Sequence, residues 1–109
     1  FNHEALTAQM LPSLQKAAGA NNVSTIAAKM GAEDFSFFGE KVPALFFNLG
    51  GMPKGQDPDK TPSHHTPDFY IDESAMQTGI KAFLYLVTDY MNSAAGKGSA
   101  GAKKQSSAR

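Results

Sequence analysis

Apolar residues follow a helical period at both ends of this chain and run almost unbroken through its middle. Near the start Leu6, Met10, Leu14 and Ala18 fall on one face, with Asn2 in the cap position and Gly19 at the stop, which predicts a first helix. Pro12 interrupts it. A proline in a helix interior removes a hydrogen bond and costs about 3 kcal/mol, so a kink or a break into two short pieces is expected near Leu11. Towards the other end Met76, Ile80, Phe83, Leu84, Val87 and Met91 form one stripe, with Asp72 as cap and Ile71 and Met76 as a hydrophobic staple. Tyr85, Leu86 and Tyr90 broaden that stripe, so this helix is expected to pack on a sheet on one side and to touch something else on the other.

Between the helices the pattern changes. Val23 to Met30 suits a short strand, weakened by Ala27 and Ala28. Gly31 permits a sharp turn, and Glu33 or Asp34 suits the first turn of a short helix running through Phe35, Phe37 and Phe38 to Gly39. Pro43 to Leu49 reads as the clearest strand, ended by Gly50-Gly51. Its apolar character at nearly every position predicts cover on both faces, as in an α/β sheet. From Met52 to Tyr70 no periodicity survives and four prolines interrupt, the mark of a long loop that is either functional or disordered. The expected fold class is therefore α/β, with helices packed on a short, mainly buried sheet. Residues 1–91 would form one domain segment, and residues 92–109 a disordered Gly/Ser/Ala/Lys tail without apolar anchors.

A length of 109 residues allows one domain at most. Folding such a length buries somewhat less than about 70% of the surface an unfolded chain exposes. Cysteine is absent, which excludes disulfides, a thiolate nucleophile and cysteine-bound zinc, so any metal must be held by His, Asp or Glu. The formal net charge is zero but uneven: residues 1–91 carry six Lys and ten acidic groups, and residues 92–109 carry four basic groups and no acid. A mildly acidic folded part argues against nucleic acid as a partner, because phosphate binding needs a basic face within the fold. The longest apolar stretch, Val42 to Leu49, is far short of the roughly 20 residues that span a bilayer, so no membrane partner is expected. No signal peptide opens the chain, and a start at Phe1 without Met is what a segment of a longer chain would show.

Candidate chemistry concentrates at His64-His65, which closes the long loop just before the last helix. A neutral imidazole held between prolines is a good transition-metal ligand. In an extended segment successive side chains point to opposite faces, so at most one of the pair would enter a given site, and adjacency alone prefers neither. Gly31-Ala32-Glu33-Asp34-Phe35 supplies the other polar cluster, although a carboxylate at a helix start has a structural role of its own. His3 reads as a surface residue. Asp57, Asp59 and Asp68 do not follow a calcium-loop pattern. Neither a nucleophile elbow, a phosphate loop nor a dinucleotide fingerprint occurs.

Three motifs in order carry a family resemblance: Gly31 to Phe38, Val42 to Gly51, and His65-Thr66-Pro67-Asp68-Phe69-Tyr70-Ile71-Asp72-Glu73. Over roughly residues 2–91 the chain resembles the C-terminal end of the aminoacylase/carboxypeptidase-type metal-dependent amidohydrolases. That family includes hippurate hydrolases and indole-acetyl amino-acid hydrolases. The resemblance implies part of a three-layer, dinuclear zinc-peptidase-like catalytic domain, the part that follows an inserted lid and dimerisation domain.

By the same resemblance His65, directly before Thr66-Pro67, is the last metal ligand, and His64 is its neighbour. Gly31, Glu33 and Asp34 match the loop that borders the substrate pocket. The implied cofactors are two divalent metal ions per complete site (zinc, manganese or cobalt), and the implied substrate is an N-acyl amino acid or small peptide. The parent would be a homodimer joined through the lid domain, with its other ligands and its general-base Glu outside this chain, so the 109 residues alone are expected to be inactive. A second reading is a noncatalytic binding or oligomerisation module that keeps the family's shape.

Overall fold

The computed structural model describes residues 1–27 and 31–105. Its helices are α1 (Glu4–Ala18), α2 (Ser36–Gly39) and α3 (Ala75–Gln105), with a single 3-10 turn at Ala20–Asn22. No strand occurs among the described residues. The expected α/β class, with helices on a buried sheet in a partial three-layer arrangement, is therefore corrected to an all-helical chain with long irregular connections.

The physical reason lies at Pro43 to Leu49. A strand exists only as a member of a hydrogen-bonded ladder, and this segment meets no second strand. Its nearest substitute is a side chain. The Phe46 N–H donates to Asn2 Oδ1 and Asn2 Nδ2 donates to the Phe46 carbonyl, both at 2.7 Å. The His3 N–H donates to the Ala44 carbonyl at 2.9 Å. The Ala44 carbonyl and both main-chain groups of Phe46 are thus satisfied from one edge, whereas among the described residues no main-chain hydrogen bond reaches Leu45, Phe47 or Leu49. Side chains alternate as the sequence implies: Phe47 packs on Phe83 of α3 with ring centroids 5.3 Å apart, and Phe46 on Phe35 at 5.6 Å. The other expected strand fares no better, since residues 23–27 are irregular and residues 28–30 lie outside the described set.

Helix α1 differs from expectation at two points. Its cap is His3, whose Nδ1 accepts from the Leu6 N–H at 3.2 Å, because Asn2 is committed to Phe46. Of the kink or break expected near Leu11, the break does not occur, and the helix continues through Pro12. Met10 and Ser13 are buried on either side of that exposed proline, so packing holds the helix where propensity alone would break it. Gly19, at φ 89°, ends the helix as expected, its N–H returning to the Gln15 carbonyl at 2.8 Å.

What α1 packs on is α3. Met10, Ser13 and Ala82 are the most buried side chains, at 3–4% exposure. The Ser13 hydroxyl donates to Asp89 Oδ2 at 2.8 Å, Lys16 Nζ stands 3.8 Å from Asp89 Oδ1 and 4.2 Å from the Tyr85 ring centre, and Gln9 Nε2 donates to Ser93 Oγ at 2.8 Å. Ala82, Tyr85, Asp89 and Ser93 fall at helical spacing and make one seam. The apolar stripe of α3 lies on nearly the opposite side: Met76, Ile80, Phe83, Leu84, Val87 and Met91 are 50–64% exposed. The total surface is 9386 Å² for 11.6 kDa, against about 5,800 Å² for a typical folded monomer of that mass.

Asp72 starts α3 as expected. Its Oδ1 accepts from the Ser74 N–H at 2.9 Å, and its carbonyl accepts from the Ala75 N–H at 3.2 Å. Hydrogen bonds from the Ser74 side chain and N–H, with a smaller contribution from the Lys54 charge, hold the Asp72 carboxyl below its ordinary pKa. The helix continues from Asn92 to Gln105, through most of the stretch expected as a disordered tail, and residues 106–109 lie outside the described set.

Two measurements check this architecture. In urea unfolding, Met10→Ala should cost about 2–4 kcal/mol and Val87→Ala no more than about 0.5 kcal/mol, because one empties the seam and the other trims an exposed face. The reverse order would place the core on the apolar stripe. On acid titration the stabilisation from Asp72 is complete above its unfolded pKa near 3.9 and is lost as pH falls through its lower folded value. The Ser74 amide resonance should report that loss, and Asp72→Asn should abolish its pH dependence.

Candidate functional site

The loop before α3 is tied together by its own short bonds. Asp57 Oδ1 accepts from the Asp59 N–H, and the Asp57 carbonyl accepts from the Lys60 and Thr61 N–H groups, each at 3.0 Å. The Thr61 hydroxyl adds a bond to the same carbonyl at 2.8 Å. Asp57 therefore shapes a turn. Further on, the Asp72 N–H donates to the Gly51 carbonyl at 2.7 Å, which joins the end of the apolar segment to the start of α3.

His64 and His65 sit within that frame in a turn, not in an extended run. The Thr66 hydroxyl donates to the Ser63 carbonyl at 2.7 Å and the Phe69 N–H to the Thr66 carbonyl at 3.2 Å. His65 has φ 66°, and among the described residues it is the one non-glycine in the left-handed region. For an L-residue that conformation costs on the order of 1–2 kcal/mol, although His tolerates it better than most. The two rings part company: His64 meets Phe69 edge-on with centroids 4.7 Å apart, and the imidazoles are 6.5 Å from each other. Both histidines are exposed.

The acidic cluster is built by α2. Glu33 Oε1 accepts from the Phe35 N–H at 3.2 Å and its carbonyl from the Ser36 N–H at 3.0 Å, so Glu33 serves the helix start. The Asp34 carbonyl accepts from the Phe37 N–H at 3.1 Å, and its side chain is exposed. Gly31 stands in open space, with nothing within 4 Å of where a Cβ would sit. The Phe35–Phe46 contact anchors this corner to the apolar segment.

A divalent metal site needs three or four protein ligands within reach of one point. Among the described residues no group of three or more His, Asp or Glu could hold a metal together. The donors of this chain thus do not fit a metal by themselves; His65 offers one imidazole and nothing described completes the set. Sequence reasoning did not find the His64–Phe69 contact or the pairing of Asn2 with Phe46, since both depend on how loops return in space.

Comparison with known proteins gives this arrangement its context. The profile of Peptidase family M20/M25/M40 matches residues 1–89, and the chain belongs to that family. Its members are in general metal-dependent hydrolases of amide bonds. The chain is 35% identical over 80 residues to the amidohydrolase YhaA of Bacillus subtilis, covering 73% of this chain and 20% of that protein. It is 33% identical over 63 residues to IAA-amino acid hydrolase ILR1-like 6 of Arabidopsis thaliana, covering 58% of this chain and 13% of the relative. For ILR1-like 4 of the same plant the identity is 30% over 73 residues, covering 67% and 16% respectively. The chain thus spans about a fifth or less of the length of these relatives. No solved structure matches significantly.

Cobalt(II) titrated into the 109-residue chain should give no saturable complex with the visible bands of tetrahedral coordination. A saturable complex abolished by His65→Ala would reveal further ligands around that residue.

Proposed function

We propose that this chain is one part of the catalytic domain of a metal-dependent amidohydrolase that cleaves the amide bond of N-acyl amino acids or small peptides. His65 is the last metal ligand, and Gly31, Glu33 and Asp34 border the substrate pocket. Two divalent ions, zinc, manganese or cobalt, complete the site together with ligands from outside these residues, and the whole enzyme dimerises through a separate lid domain. The observation that carries this reading is the family match over residues 1–89 by a chain that spans about a fifth of YhaA. The names of the two plant relatives, hydrolases of IAA-amino acid conjugates, support an N-acyl amino acid as substrate class.

The exposure of α3 supports the same reading. A stripe of six large apolar side chains open to water, beside an apolar segment with an unpaired edge, is what an inner surface of a larger domain presents when seen alone. In such a domain His65 would help to hold the metal, which would supply Lewis-acid chemistry when bound, and the other residues of this chain would contribute binding and orientation.

The test is hydrolysis of an N-acyl amino acid by a family-length protein carrying this segment. His65→Ala should lower bound metal and reduce the rate by at least about 100-fold, as loss of a first ligand does when even supporting contacts cost about 10–100-fold. Metal content and rate both unchanged would refute the assignment of His65. The 109 residues alone should show no metal-dependent hydrolysis, and observing it would refute the part-domain reading.

A further inference from the structure

We propose that His64 is a positioning residue: its ring, set edge-on against Phe69, holds the Ser63–Phe69 turn closed and so keeps His65 in its left-handed backbone conformation. The need for such a device follows from the backbone. A φ of 66° is unfavourable for a residue with a Cβ and persists only where the surroundings impose it.

Three contacts surround this turn. The Thr66 hydroxyl bond to the Ser63 carbonyl closes one half, and the Phe69 N–H bond to the Thr66 carbonyl closes the other. The first closes over the main chain of His64 and His65, and neither engages the His64 ring. The His64 ring on Phe69, at 4.7 Å and 62°, reaches from the residue before the left-handed position to the far end of the turn. Together with the Ser63–Thr66 bond it encloses His65. Pro67 adds stiffness downstream by disfavouring the helical region at Thr66.

The consequence is a division of labour within the pair. One imidazole is spent on Phe69, and the other is left exposed, 6.5 Å away and clear of that contact. The functional meaning rests on the reading of His65 as a ligand, but the conformational claim does not, and it can be tested without metal.

The experiment is NMR of the full 109-residue chain. In the left-handed region the amide and α protons of a residue approach closely, so His65 should give a strong intraresidue HN–Hα NOE. His64→Ala and Phe69→Ala should each lose it, while His64→Phe, which keeps a ring at that place, should retain it. Unchanged shifts of α3 residues 80–90 would show that the variants remain folded. Retention of the NOE in His64→Ala, or its equal loss in His64→Phe, would overturn the proposal. If the NOE behaves as expected while His65→Ala leaves metal and rate intact in the family-length enzyme, the ligand reading fails and the positioning contact stands.

Discussion

Met10 and Ser13 of α1 meet Ala82 and Asp89 of α3, and through this contact a chain with two buried apolar side chains among the described residues still presents its loops in a defined arrangement. Apart from Met10 and Tyr85, the seam is made of small and polar groups. Ser13 brings a hydroxyl to a carboxylate that Lys16 also approaches, so the contact is specific as well as close. Removing it would release both supports of the apolar segment. Asn2 and His3, which bind Ala44 and Phe46, stand at the head of α1; Phe83, which carries Phe47, stands on α3.

From that segment the two candidate regions are placed in turn. Phe35 ties the Gly31–Asp34 corner to Phe46, and the Gly51 carbonyl receives the N–H of Asp72, seven residues beyond His65. The function proposed here therefore depends on elements that are individually weak. Their weakness has a common form: Leu45, Phe47 and Leu49 offer an unpaired edge, and the stripe from Met76 to Met91 offers an uncovered face. A domain several times longer, as the relatives are, has the material to meet both.

Much of this was legible in the sequence, and what was not has definable causes. Gly19 and Asp72 mark helix ends through local chemistry, and each does in the structure what its neighbours predict. The strand at Pro43 to Leu49 did not form, because apolar pattern reports which faces want cover but not whether a partner strand is present to supply it. Pattern misled again at α3. The large apolar stripe was expected to face the packing partner, yet Ala82, Asp89 and Ser93 do so, since small residues let α1 approach and the stripe waits for something else. At the candidate site the pair of histidines was visible at once, and the family resemblance of the motif that follows makes His65 the proposed ligand. Its left-handed backbone was invisible, because φ at that residue is set by contacts such as His64 on Phe69.

The central claim is that the α1–α3 seam is the stable core and that Leu45 to Leu49 is an apolar segment without a ladder. Amide hydrogen exchange of the 109-residue chain, resolved by residue, tests it directly. Protection should be greatest at seam residues such as Ser13 and Ala82, intermediate at Phe46, whose N–H is bonded to Asn2, and near that of an unfolded chain at Leu45, Phe47 and Leu49. Strong protection at those three odd-numbered amides would mean that the edge is already paired, and would contradict the account.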